Sequence, residues 1–254
     1  RGQVGSASGA VSYDGGSVSS VGRANVASTG SVSVSIAGVG MGAAAYSVGT
    51  RVGVSACESV DWVSDSCVVC GSSAGVSGSL AVGVSVLVQS GTTSACVSYV
   101  SPDVGGASGN VGSSGGGNVS VVGWGYGGAG YSAGVRVGGS GCWESAWVSE
   151  SSVRCAAVSG SGGSAGVTVS VAAQAGSCSR VVSYDAGGVS GVLGGNVGAA
   201  GGSNVSVVGS GYGVVDYSVS VRVGGSGCWA SRWYADSGVL CVSGQGAVSY
   251  THLR

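Results

Sequence analysis

Cysteines are the residues of this chain best suited to covalent or metal chemistry. Six of the nine fall into three pairs of equal spacing. Cys57 and Cys70, Cys142 and Cys155, and Cys228 and Cys241 are each 13 positions apart. Such a pair can close a disulfide, ligate a metal, or stay reduced in a core. Zinc needs four ligands, and no histidine lies near any pair to complete a shell. The residues between the partners include turn formers, Ser64-Asp65 and Ser149-Glu150, so a hairpin would bring the sulfurs together. The expected product is one disulfide per pair, with reduced core thiols as the alternative. A loop of this length gains roughly 3 kcal/mol from closure in the chain-entropy account. Disulfides imply an oxidising compartment.

Three cysteines remain: Cys67, Cys96 and Cys178. Nine is an odd number, so at least one thiol is free or pairs with another chain. Cys67-Val-Val-Cys70 has the CxxC form of a redox site, but Cys70 already has a partner at the recurring spacing. No helix follows it to lower a thiol pKa. Other catalytic sets are missing. His252 is the single histidine, and a serine nucleophile needs a base beside it. Asp61, Asp65, Glu144 and Glu150 sit on turn-like segments and read as solvated. The glycine runs at Gly38, Gly123 and Gly209 resemble phosphate loops. A strand-like segment follows each of them and no helix, so the glycines read as turn residues. No enzymatic activity and no cofactor are expected.

The elements that position the cysteines recur with them. Tyr46, Tyr131 and Tyr217 are 85 and 86 residues apart. From each tyrosine an arginine follows at five (Arg51, Arg136, Arg222), and a cysteine at eleven. A tryptophan follows at sixteen (Trp62, Trp147, Trp233), and the second cysteine at twenty-four. Ser-Tyr closes each copy at Tyr13, Tyr99 and Tyr184. The repeats therefore run over residues 14–99, 100–184 and 185–254, with 1–13 read as the last strand of a preceding copy. From second cysteine to closing tyrosine is 29 residues in the first two repeats but 9 in the third, which ends at Tyr250. The third copy lacks the segment matching Ser79–Gln89 and Ser164–Gln174, and residues 251–254 look foreign to the repeat. A neighbour donating its strand Gly9–Tyr13 would complete that copy, and a fragment of a longer array would give the same pattern.

Alternating valines, such as Val82, Val84, Val86 and Val88, have the period-two pattern of half-buried strands. Six or seven strands per repeat make a small sandwich. Composition agrees: 55 glycines, no phenylalanine and 7% charged residues. The nine basic residues are scattered arginines, with no basic stripe for nucleic acid. No apolar run approaches the roughly 18 residues of a membrane span.

The order of these marks resembles the IPT/TIG immunoglobulin-like domain. Gly123–Gly127, Tyr131–Cys142 and Trp147–Cys155 carry the likeness, with equivalents in the other copies. It resembles the tandem arrays of long extracellular proteins in algae and other protists. Pro102 is the only proline, a departure from such arrays. The resemblance implies an all-β fold of tandem Ig-like sandwiches of about 85 residues, used in cell-surface recognition or fibre building.

The expected role is an extracellular structural protein, its repeats stacked into a rod or filament such as a flagellar hair or cell-wall fibre. Its partners would be copies of itself or neighbouring repeats. An adhesion or receptor ectodomain that binds glycans or proteins is the second reading. An accessory module of a secreted carbohydrate-active enzyme is the third. Trp62, Trp147 and Trp233 read as hairpin-packing rings, and Trp124, Trp143 and Trp229 as contact aromatics. Arg51, Arg136 and Arg222 read as solvent-facing or junction residues. Asn118-Val-Ser and Asn204-Val-Ser are N-glycosylation sequons 86 residues apart, with Ser33 in the first copy.

Overall fold

The computed structural model of the chain describes residues 4–9 and 12–246. Every helix or strand among them is a β-strand. This follows from the residues available. β-Branched valine packs well on a pleated face, and glycine and serine end many of the runs. No helix among the described residues is long and apolar enough to cross a membrane.

The chain divides into two compact units. The first holds residues 1–102 with segments 125–131 and 171–174, and the second holds the rest. In the first repeat one sheet has the spatial order Ser17–Val21, Ser33–Val39, Cys67–Gly71, Ser59–Ser64. The other has the order Asn25–Val26, Gln89–Tyr99, Leu80–Val86, Val48–Val52, Ser55–Ala56. Asn25–Val26 runs parallel to its neighbour, and the remaining pairings are antiparallel. The core gathers residues of both sheets: Val34, Ile36, Val68 and Cys70 from one, and Val52, Val82, Val84 and Val97 from the other.

The second repeat has the same sheet orders, displaced by one repeat length. Register repeats as well as topology. Val34 stands opposite Cys70, Val119 opposite Cys155, and Val205 opposite Cys241. The third repeat keeps the first sheet, Gly188–Leu193, Asn204–Ser210, Gly238–Val242 and Ala230–Ala235. Its second sheet is reduced to Arg222–Val223 and Ser226–Gly227. No described strand there matches Ala165–Val171 and Gln174–Tyr184. The consequence is visible at one position. Val18 and Val104 are 8% and 5% exposed, but Val189 is 65% exposed.

The strand expected over residues 9–13 lies partly outside the described residues, and Ser12 and Tyr13 belong to no strand. Tyr250, His252 and the tail 251–254 lie outside the described residues.

Neighbouring valines on one strand should differ sharply in their worth. Val121 is fully buried, whereas Val122 is 51% exposed. Val121→Ala is expected to cost roughly 2 kcal/mol in urea unfolding, and Val122→Ala less than about 0.5 kcal/mol. Equal costs at the two positions would contradict the inward assignment.

Candidate functional site

Each cysteine pair bridges the two sheets of a repeat or the turn leaving one of them. Cys57 follows the edge strand Ser55–Ala56 of the second sheet, and its N–H donates to Thr50 O at 3.0 Å. Cys70 lies in the first sheet and is fully buried. Cys142 N–H donates to Val135 O at 3.0 Å, and Cys228 N–H to Val221 O at 3.1 Å. The pairs Cys57–Cys70, Cys142–Cys155 and Cys228–Cys241 are disulfide-bonded, each with Cα atoms 5.7 Å apart. That separation is ordinary for a disulfide. The hairpin between the partners turns at Asp65-Ser66, Glu150-Ser151 and Asp236-Ser237. Cys67, Cys96 and Cys178 are free and half-buried.

The glycine run, the ladder tyrosine and the ladder tryptophan form one packed cluster. Gly42 has φ +91°, and a Cβ there would sit 2.9 Å from the ring of Tyr46. Gly127 and Gly213 have φ +91° and +86° and face Tyr131 and Tyr217 in the same way. Both backbone conformation and ring contact therefore demand glycine. Trp62 Nε1 donates to Met41 O at 3.1 Å, and Trp233 Nε1 to Gly213 O at 3.1 Å. Trp147 stands opposite Val153 as Trp62 does opposite Val68.

Asp65 has a structural part that its turn position does not announce. Its Oδ1 accepts from Gly42 N–H at 2.9 Å, and Asp236 Oδ1 accepts from Gly213 N–H at 2.8 Å. Asp236 Oδ1 also accepts from Ser113 Oγ at 3.2 Å. Asp61 and Glu144 are exposed.

Two glutamines hold closing tyrosines. Gln174 Nε2 donates to Tyr99 O at 2.9 Å and to Ser101 Oγ at 3.3 Å. Its Oε1 accepts from Ser77 N–H at 3.3 Å. Gln89 Nε2 donates to Tyr13 O in the same fashion. Both contacts lie within the first compact unit. There, a Cβ at Gly128 would lie 3.0 Å from Ala74 Cβ, and one at Gly127 would lie 2.9 Å from Val76 Cγ1. The corresponding surface of the first repeat, including Gly42, Ala43, Tyr46 and Gln89, lines an open pocket of about 600 Å3.

Arg51, Arg136 and Arg222 are exposed. Trp124, Trp143 and Trp229 are also exposed. Asn118 and Asn204 are exposed at the first positions of Asn118–Trp124 and Asn204–Ser210. A pocket of about 400 Å3 in the second unit is lined by Ser113, Ser161, Tyr212, Tyr217 and Arg222 among others, with no carboxylate or histidine. No group of three or more His, Cys, Asp or Glu among the described residues is placed to hold a metal ion.

The IPT/TIG domain family model matches residues 17–101 and 102–184, most of the chain. The chain belongs to the IPT/TIG domain family. No curated protein matches it. Among solved structures, an IPT/TIG chain of this kind is similar to the plexin A4 full extracellular region, 18% identical, with TM-score 0.35. That match covers 96% of this chain and 22% of the plexin, so the chain spans about a fifth of that protein. The surface glycan-binding protein PbSGBP-B from Prevotella bryantii is 10% identical over 67% of this chain and 43% of its own, with TM-score 0.43. SGBP-B of Bacteroides uniformis, from a complex xyloglucan utilization locus, is 9% identical over 77% and 62%, with TM-score 0.29.

The closing tyrosines give the IPT/TIG repeats a pH dependence. Tyr99 Oη donates to Ser73 O at 2.9 Å, and Tyr184 Oη to Val158 O at 3.3 Å. Burial raises both phenol pKa values above the ordinary 10.0. A pKa raised in the folded state favours the neutral phenol. Its stabilisation is fully present below the unfolded-state pKa and is lost as pH rises through the folded value. Thermal midpoints should therefore fall above about pH 10, and Tyr99→Phe with Tyr184→Phe should flatten that fall. An unchanged alkaline limb in the double variant would remove these phenols from the account.

Proposed function

We propose that the chain is a length of an extracellular structural array, its IPT/TIG repeats stacked end to end in a rod or filament without catalytic work. The observation that carries this reading is the grip on the closing tyrosine. Gln174 makes two hydrogen bonds to the first repeat, donating to Tyr99 O and accepting from Ser77 N–H, and Gly127 and Gly128 approach Val76 and Ala74 closely. A flexible linker between independent beads would not need a glutamine at the tip of a hairpin to bind its backbone. Gln89 and Tyr13 repeat the contact one repeat earlier. In the stack, the pocket lined by Gly42, Tyr46 and Gln89 receives the end of another repeat. The three disulfides support an oxidising, extracellular setting.

Recognition at a cell surface is the second reading, favoured by the exposed rings of Trp124, Trp143 and Trp229. Exposed aromatics are common anchors for sugars and proteins.

Negative-stain images of native material separate the two. A structural array should appear as filaments of uniform width, and Gln174→Ala should make them more bent. Isolated flexible beads in native material, with the variant indistinguishable from it, would overturn the stacking proposal.

A further inference from the structure

The sequons and two exposed tryptophans occur together. The second repeat has Asn118-Val-Ser and Trp143, and the third has Asn204-Val-Ser and Trp229. The first has Ser33 and Glu58 at the equivalent places, and so lacks both members.

The fold explains why these positions would be coupled. Asn204 and Ala230 are both paired with Val242, on either side of it. Trp229, the residue before Ala230, donates its N–H to Val242 O at 2.8 Å. Asn118, Glu144 and Ala156 repeat the row, with Trp143 N–H donating to Ala156 O at 2.9 Å. Two strand spacings, roughly 10 Å, separate the asparagine strand from the tryptophan strand. The Trp229 ring leans back across this gap. A Cβ built on Gly202 would lie 3.6 Å from Trp229 Cζ3, and Gly202 is two residues before Asn204. One built on Gly244 would lie 3.8 Å from Trp229 Cδ1. Trp229 is nonetheless 61% exposed, and Trp143 is 78% exposed.

In the first repeat, the residue after the first cysteine also reaches back. Ser31 Oγ donates to Glu58 Oε2 at 3.1 Å, and Ser31 occupies the place of Gly202. In the first and third repeats the position thus serves the same strip of surface. In the third repeat an apolar plate lies beside the exposed Asn204, whose sequon serine Ser206 shares its strand face.

We infer that Asn118 and Asn204 carry N-linked oligosaccharides, and that the first N-acetylhexosamine at Asn204 packs its C–H face on the indole of Trp229. Trp143 does not lean back in this way, since a Cβ built on Gly116, which holds the place of Gly202, would have no neighbour within 4 Å. The donor is a lipid-pyrophosphate-linked oligosaccharide. The bond from Asn Nδ2 to sugar C1 forms as the C1–O bond to pyrophosphate breaks. The lipid pyrophosphate leaves, and the displaced amide proton passes to a base of the transferase. The sugar covers indole surface that water otherwise wets. The inference rests on the extracellular reading above.

The test uses the full chain secreted from eukaryotic cells, with mass spectrometry and thermal unfolding. Treatment with an amide-cleaving N-glycosidase should remove glycan mass and convert Asn118 and Asn204 to aspartate. It should also lower the thermal midpoint by roughly 3 °C. In a Trp143→Ala, Trp229→Ala double variant, glycosidase should still remove the same mass, but the shift should shrink to about a third. Nuclear Overhauser contacts should join the first sugar's ring protons to the Trp229 indole. Unmodified asparagines would overturn the inference, and so would glycans whose removal shifts native and double variant equally. Asn204→Gln is the second variant, and it should abolish the sugar–Trp229 contacts alone. Reduction and alkylation of the same sample reports the disulfides. Intact disulfides without glycan would sink this inference and leave the extracellular reading standing, whereas free thiols throughout would sink both.

Discussion

One covalent bond links the two faces of each sandwich at the point where the chain leaves the second sheet for the first. It matters because the apolar filling is thin. A fully buried valine contributes about 1.5–3 kcal/mol, while ordering each residue's backbone costs about 1–2 kcal/mol. Glycine costs more than any other residue, and this chain has 55 glycines and no phenylalanine. Net stabilities of small domains are about 5–15 kcal/mol, so a staple of roughly 3 kcal/mol is a large share. The staple also fixes the start of the hairpin that carries the ladder tryptophan. In the first and third repeats the indole and the turn carboxylate then hold the glycine run, and the glycine run seats the ladder tyrosine. Order passes outward from the disulfide through these contacts.

The same economy governs the ends of the repeats. Gly160 lies beneath Tyr184, and a Cβ at Gly75 would sit 2.6 Å from the ring of Tyr99. Tyr99 and Tyr184 are thus each pressed on a glycine, with the hydroxyl bonded to backbone. The Tyr99 carbonyl accepts from Gln174 Nε2. A chain with few charges must use such neutral amide contacts where other proteins use ion pairs.

Much of this could be read from spacing. The recurring offsets of tyrosine, arginine, tryptophan and cysteine gave the family and the all-β class, and alternating valines marked the strands. Trp124, Trp143 and Trp229 stood out because they break the strict repeat. The glutamine grip has no mark of its own in the sequence. Its partner is a backbone carbonyl, which no side-chain pattern marks, although Gln89 and Gln174 recur 85 residues apart. A carboxylate on a turn reads as solvated, and Asp65 is exposed. Its bond to Gly42 N–H depends on a glycine loop folding back 23 residues earlier in the chain. The exposure of Val189 is likewise invisible locally, since its strand matches those of the other repeats and only the covering strands differ.

The account stands or falls on which sulfurs are joined. Peptide mapping of native protein under non-reducing, thiol-blocked conditions tests this directly. It should return Cys57 with Cys70, Cys142 with Cys155 and Cys228 with Cys241, and alkylated Cys67, Cys96 and Cys178. Recovery of Cys142 free, or linked to any residue but Cys155, would contradict the stapled sandwich on which the rest is built.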